Sequence, residues 1–286
     1  MQEKEIRLDN DKQLILYRED CFQLFNYLNE GQVDVVVTSP PYNIGVDYHR
    51  YDDNISREDY LQWLSDWASL MKKALSPEGS IFLNIGSKPS DPVVPFQVIE
   101  VMQEHFKLQN VIHWIKSIYI EEESYGEKTV ANVGHYKPIN SERFINDTHE
   151  YIFHLTRTGR VRLDRLAIGV PYKDKTNIER WQGKKSKEKR QDLRCRGNCW
   201  YIPYQTITSR KKDRPHPASY PPELAVMCIK LHGLEGVELV LDPFMGIGNT
   251  ALACQELNIN FIGFEIDNDY YQSALSLLIK QPTLFD

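Results

Sequence analysis

The sequence predicts an α/β protein built on a mainly parallel sheet, and three observations carry that prediction. Strand-like apolar runs alternate with amphipathic helical stretches before residue 118 and again after residue 218. Two of the strands stop abruptly, "VDVVVT" against Ser39-Pro40-Pro41-Tyr42 and "GVELVLD" against the turn "PFMGIGNT". No stretch is long and apolar enough to span a membrane, and "MQEKEIRLDN" is charged where a signal peptide would be apolar.

The first strand ends where it does because neither Pro40 nor Pro41 offers an N–H to a ladder. "NIGVDYHRYDDN" follows no period and is expected to be a mobile loop. Ser56 with Asp59 then makes a capping box, after which Tyr60, Trp63, Leu64, Trp67, Leu70 and Met71 fall on one helical face. That helix closes at "SPEG". A buried strand "SIFLNIG", an irregular Pro-rich stretch, a helix across "FQVIEVMQEHF" and a strand "LQNVIHWIKS" come next. From about Ser117 to Tyr201 the pattern weakens, "THEYIFHLTR" being its clearest strand, and the region reads as an insertion or recognition module. Order returns at "SYPPELAVMCIKLHG", with prolines suited to a helix start and Gly233 to its end. A second α/β unit follows: strand "GVELVLDPF", turn "MGIGNT", helix "ALACQELN", strand "NFIGFEID".

The net charge of −6 hides an asymmetry. Residues 157–214 hold 18 Lys or Arg against 6 Asp or Glu, a local +12 on a body of −18. Such a stretch suits a phosphate backbone, and read by itself it suits a solvated surface loop equally well. Five scattered cysteines fit reduced thiols in a cytoplasm better than a disulfide framework. Cys195 and Cys199, with His216 beyond, have no second pair at zinc spacing, so no metal is expected.

In the second unit, a strand running into a glycine turn and then a helix lets backbone approach a ligand at Gly246 and Gly248. Glu265, at the next strand's tip, can accept both hydroxyls of a ribose. The same glycines could be a structural turn. No third glycine completes a dinucleotide fingerprint and no Lys-Ser/Thr pair completes a phosphate loop, which disfavours NAD and ATP.

"TSPPY" followed far downstream by "HPASYPPEL", "LDPFMGIGNTALA" and "GFEID" resembles the amino-group DNA methyltransferases, in the motif order of their circularly permuted β group. "YREDC", "GSIFLNIG", "NVIHWIKS", "THEYIFHLTR" and "NCWYIPY" also have counterparts in that family. The resemblance implies a Rossmann-like class I methyltransferase sheet, circularly permuted, with residues 1–117 and 198–286 as the catalytic and cofactor-binding domain. Residues 118–197 would be the variable target-recognition region, with its core-like strand near 148–157. It implies S-adenosylmethionine as cofactor and double-stranded DNA as substrate. The setting would be the cytoplasm of a bacterium, or a phage-encoded enzyme, with or without a cognate restriction endonuclease acting independently.

The exocyclic amine of a base is a poor nucleophile because its lone pair is delocalised into the ring. Acceptors that draw its hydrogens out of plane would localise that pair. By the resemblance, the Ser39 hydroxyl and the Pro40 carbonyl are those acceptors, Pro41 holds the turn rigid, and Tyr42 stacks on the flipped base. For Ser39 the plainer reading is a turn cap, and for Tyr42 it is core packing. Asp20 would face the adenine of the cofactor, although it suits a helix N-cap equally. Thr38, Phe244, Gly246, Gly248 and Glu265 would line the cofactor site, with Asp242, His216 and Pro217 near its methionine end; Asp242 could instead fix the turn. Trp114 fits core more readily than a wall for the base. The turn Ser-Pro-Pro-Tyr is the form usual in the family's cytosine-N4 enzymes, while its adenine-N6 enzymes more often begin with Asp. N4-cytosine methylation is therefore expected, with N6-adenine as the alternative and a non-catalytic DNA-binding regulator as a further one.

Overall fold

A computed structural model of the chain describes residues 2–46, 48, 50–124, 127–134, 140–173, 192–203 and 219–280. It contains a nine-stranded mixed sheet with helices on both faces. In chain order the sheet strands are β1 (Glu3–Arg7), β2 (Gln13–Tyr17), β3 (Val33–Thr38), β4 (Leu75–Ile85), β5 (Lys107–Ile115), β8 (His149–Thr156), β9 (Cys199–Tyr201), β10 (Leu239–Asp242) and β11 (Asn260–Phe264). Their spatial order is β1-β2-β11-β10-β3-β4-β8-β5-β9. The run from β2 to β4 is parallel, whereas β8 enters antiparallel between β4 and β5, and β1 folds back on β2 as an edge hairpin. A separate hairpin pairs β6 (Ser117–Ser124) with β7 (Glu127–Gly134).

The unbroken "VVV" of β3 has a simple cause. Val35 and Val37 pack into one core and Val36 into the other, because the strand is covered on both faces. One face carries a short 3-10 helix (Cys21–Asn26), α1 (Arg57–Ala74) and α2 (Val94–His105). The opposite face carries α3 (Pro222–His232), α4 (Asn249–Leu257) and α5 (Asn268–Lys280). Helix α1 forms as its sequence predicts. The Ser56 hydroxyl accepts the Asp59 N–H at 3.1 Å, and Tyr60, Leu64, Trp67 and Met71 are wholly buried.

Three expectations need correction. The strand after α1 starts at Leu75 rather than after "SPEG", with a register shift between Val33 and Val35 of its partner accommodating the extra residues. The segment that weakens after Ser117 contains the β6–β7 hairpin, which the sequence reading did not anticipate, while β8 is the core-like strand expected near 148–157 and lies between β4 and β5. The loop after Tyr42 folds around one carboxylate: Asp53, buried, accepts the N–H groups of Asn43 (2.8 Å), Ile44 (3.1 Å) and Val46 (2.9 Å). Among the described residues no helix is long and apolar enough to cross a membrane.

The chain order reverses at β3 and β10: from β3 it proceeds outward through β4, and from β10 through β11 in the other direction. Open α/β sheets bind ligands outside the carboxyl ends of strands at such a switch point. A cleft among the described residues lies there.

Candidate active site

The cleft has an empty volume of about 990 Å³, open mouth included, and is lined from the tips of four parallel strands. β2 contributes Glu19 and Asp20, β3 Ser39 and Pro41, β10 Pro243 to Ile247, and β11 Phe264 to Asp267. Cys21 of the 3-10 helix, Tyr48, Arg50 and Tyr51 of the Asp53-centred loop, Trp63 of α1, Ser219 and Tyr220, Asn249, and Tyr270 of α5 complete the wall.

The glycine turn fits its place for steric reasons. Gly246 and Gly248 take φ of +55° and +84°, and a Cβ on Gly248 would stand 3.0 Å from that of Ala274. Gly246 therefore brings its backbone to the wall, and its N–H donates to Glu265 Oε2 at 2.9 Å. Glu265 Oε1 accepts the Asp267 N–H at 2.7 Å. Each carboxylate oxygen so keeps capacity for a further donor. Burial pushes the Glu265 carboxyl up to about 7, against the pull of those two backbone donors.

Asp242, one strand over, is in the opposite condition. It lies behind the wall, within hydrogen-bond reach of Thr38 Oγ1 (2.7 Å), Thr250 Oγ1 (2.8 Å), the Tyr220 hydroxyl (3.0 Å) and the Phe244 N–H (3.1 Å). Burial raises its carboxyl and those four donors oppose the rise. Thr38 is fully buried with it. The structure thus places Thr38 and Asp242 as an internal tie between β3, β10 and α4, with neither on the cleft wall.

Phe244 is on the wall, backed by Trp63 and Trp67 of α1 with ring centroids 5.6 and 5.4 Å away. Asp20 is on the wall and also caps the 3-10 helix, accepting the Phe22 N–H at 2.9 Å. His216 and Pro217 lie outside the described residues. Tyr48, Arg50, Tyr51, Trp63, Asp267 and Tyr270 were not anticipated. Aromatic residues crowd the "DYHRYDD" segment, and that was the available signal.

Across the cleft the proline turn presents Ser39, whose Oγ lies 2.7 Å from the Tyr42 hydroxyl. The Pro41 carbonyl accepts the Tyr60 hydroxyl at 2.8 Å, and Pro40 is buried. Tyr42 points inward. It is 7% exposed, and its hydroxyl donates to Glu150 Oε2 at 3.2 Å and accepts from Asn84 Nδ2 at 2.8 Å. Burial and the charge of Glu150 push its phenol well above the usual value. Asn84 Nδ2 also donates to Glu150 Oε2 at 2.7 Å, and Lys116 Nζ donates to Oε1 at 2.9 Å. Asn84 keeps this orientation with Oδ1 buried and without a partner, which costs roughly 1–3 kcal/mol. Burial works against the Glu150 charge, yet Lys116 and the hydrogen bonds from Asn84 and Tyr42 outweigh it and hold the carboxyl below its ordinary value. Trp114 is buried, with Nε1 donating to the Ile202 carbonyl at 2.8 Å.

The arrangement offers acceptors for a vicinal diol, aromatic faces for a base, and an excess of carboxylates (Glu19, Asp20, Glu265, Asp267) over Arg50. That combination fits a cation-bearing nucleoside beside a rigid hydroxyl. Residues 33–276 match the family model of the N6/N4 DNA methylases.

The chain belongs to the N6/N4 DNA methylase family.

This DNA amino-methyltransferase is 26% identical over 276 residues to the type II methyltransferase M.HpaI of Haemophilus parainfluenzae, covering 96% of this chain and 77% of the relative. It is 28% identical to M.BglII of Bacillus subtilis, covering 93% and 69%. Its fold matches that of the PvuII DNA methyltransferase (cytosine-N4-specific) with a TM-score of 0.66 at 17% identity, covering 97% of this chain and 89% of the other. A putative DNA modification methylase of Thermus thermophilus, complexed with S-adenosyl-L-methionine, matches at 0.56 and 19% identity, covering 93% of each chain.

Proposed function

We propose that this methyltransferase transfers a methyl group from S-adenosylmethionine to the exocyclic N4 amine of a cytosine flipped out of double-stranded DNA, at a specific sequence. The observation that carries the reading is the position of the Ser39 hydroxyl. It sits on the wall of the cleft that also holds Glu265, Phe244 and the glycine turn.

S-adenosylmethionine supplies, when bound, a methyl group made electrophilic by a sulfonium. The residues at hand fit it: Glu265 for the ribose hydroxyls, Phe244 and Asp20 for the adenine, and a carboxylate-rich wall for its positive charge. Ser39 accepts a hydrogen of the target amine and turns the nitrogen lone pair toward the methyl group, so the displacement is direct and needs no covalent enzyme intermediate. Tyr42 would contribute through its buried hydroxyl more than as a stacking platform, since its side chain is enclosed. The segment 118–197 would serve target recognition while supplying β8 to the catalytic sheet, and the basic stretch within 157–214 would meet phosphates. A Ser rather than an Asp at the head of the turn favours cytosine; adenine N6 demands the same chemistry and is the second reading.

Incubation with unmethylated genomic DNA and methyl-labelled S-adenosylmethionine, followed by digestion to nucleosides and identification by mass, tests this. Label in N4-methylcytosine is expected. Label in N6-methyladenine would overturn the base, and no label in DNA would overturn the reaction. Ser39→Ala should lower turnover about 100-fold or more while cofactor affinity stays within about twofold. Equal loss of both would remove Ser39 from its assigned role.

A further inference from the structure

Behind Ser39 lies a closed cluster of Tyr42, Asn84, Lys116 and Glu150, of which the transfer reaction as described uses only the Tyr42 hydroxyl. It comes from four places in the chain, the proline turn, the end of β4, the residue after β5 and the start of β8. Space for it exists because residue 86 is glycine. A Cβ there would stand 2.9 Å from the Tyr42 ring and 3.1 Å from the Glu150 carboxyl carbon.

Counting hydrogens gives the cluster a direction. An ionised carboxylate only accepts, and a phenol has one hydrogen. Asn84 and Lys116 donate to Glu150, so Tyr42 can meet the carboxylate only by donating too. With its one hydrogen committed to Glu150, the 2.7 Å contact with Ser39 is a hydrogen bond only if Ser39 is the donor. Both lone pairs of Ser39 Oγ are then free on the cleft side. Reversal would have Tyr42 donate to Ser39 and turn the serine hydrogen toward an amine that is itself a donor.

We infer that Glu150 is a positioning residue that, through Tyr42, fixes the Ser39 hydroxyl as an acceptor for the target amine. The inference rests on the reading of Ser39 given above. Glu150 never touches the base; it sets which way the serine hydrogen points. Its ionisation is sustained by Lys116 and Asn84. The other titratable groups around it are Tyr42 and Tyr48 from the β3 side, and Asp147 and His149 beside it.

The test is single-turnover methylation of unmethylated genomic DNA by Glu150→Gln, Tyr42→Phe and the double variant, with S-adenosylmethionine affinity measured in parallel. Glu150→Gln, whose amide can donate to Tyr42 and reverse the chain, should slow the methyl-transfer step roughly 10–100-fold with cofactor affinity unchanged. In the Tyr42→Phe background the same change should have no further effect, because the link is gone. A burial role alone would give additive losses, and that result would overturn the inference. So would full activity of Glu150→Gln alongside an inactive Ser39→Ala, which would leave the reading of Ser39 standing. Full activity of Ser39→Ala would sink that reading itself. If Glu150→Gln does not fold, Lys116→Gln decides. Removing the adjacent cation should move the acid limb of the transfer rate upward by about one to three pH units, and an unmoved limb would overturn the inference.

Discussion

Two carboxylates stand at neighbouring strand tips, Asp242 ending β10 and Glu265 following β11, and burial raises both. They differ in their donors. Asp242 has three hydroxyls and an N–H around it and lies behind the wall, whereas Glu265 has two backbone N–H groups and faces the cleft. The number of internal donors and the position relative to the wall set the two acids apart, although both occupy motifs a reader of the sequence would assign to the cofactor.

The largest effect expected is on the closed side of this pair. Asp242→Ala strips four donors of their common acceptor and should cost about 3–5 kcal/mol of unfolding free energy in urea titrations. A loss under about 1 kcal/mol would erase the distinction. Glu265→Gln should do the reverse, leaving stability within about 1 kcal/mol of the parent while lowering S-adenosylmethionine affinity roughly 10–100-fold. Calorimetric titration separates the two effects.

The pH dependence sharpens the contrast. In the role proposed for it Glu265 would accept a diol best when ionised, so cofactor affinity should fall as pH drops through about 7, by at most about tenfold per unit, and Glu265→Gln should flatten the profile. For the protein without cofactor the same raised value has the opposite sign. Its stabilising share is complete below the unfolded carboxyl value near 4.5 and is lost as pH rises through about 7. The smallest expected effect is that of Gly248→Ala. A side chain in that left-handed conformation should cost about 1–2 kcal/mol, read as a lowered melting temperature with little change in affinity.

Much of this was legible in local sequence. Proline pairs and glycine turns punctuate strands through backbone chemistry that needs no partner, so the tips carrying Ser39 and Gly246 could be placed on one crevice. The place of Glu265 on the same crevice was legible from its spacing. Asp242 and Thr38 were expected near the cofactor, with a structural role in the turn as the alternative for Asp242; that both lie behind the wall was not legible, because a motif does not disclose which way an acid's lone pairs face. Glu150 was hidden for a different reason: it meets Tyr42 from 108 positions away, through a strand whose slot between β4 and β5 no local periodicity encodes. A lone acid in the strand "THEYIFHLTR", beside its apolar centre Tyr151 to Phe153, was the signal available. The order of the described part of the loop after Tyr42 centres on Asp53, which collects three N–H groups, and its composition conceals that.

The pairing of β3 with β10 also governs how the protein is made. Val36 lies opposite Leu241, so one edge of a central, valine-rich strand must wait for a partner that leaves the ribosome 205 residues later. At roughly 5–20 residues per second that is a delay of about 10–40 s. During it the nascent chain carries an unpaired apolar edge of the kind that recruits other strands. Synthesis of this enzyme is therefore expected to lean on chaperones, and slowing translation upstream of β10 should lower its soluble yield.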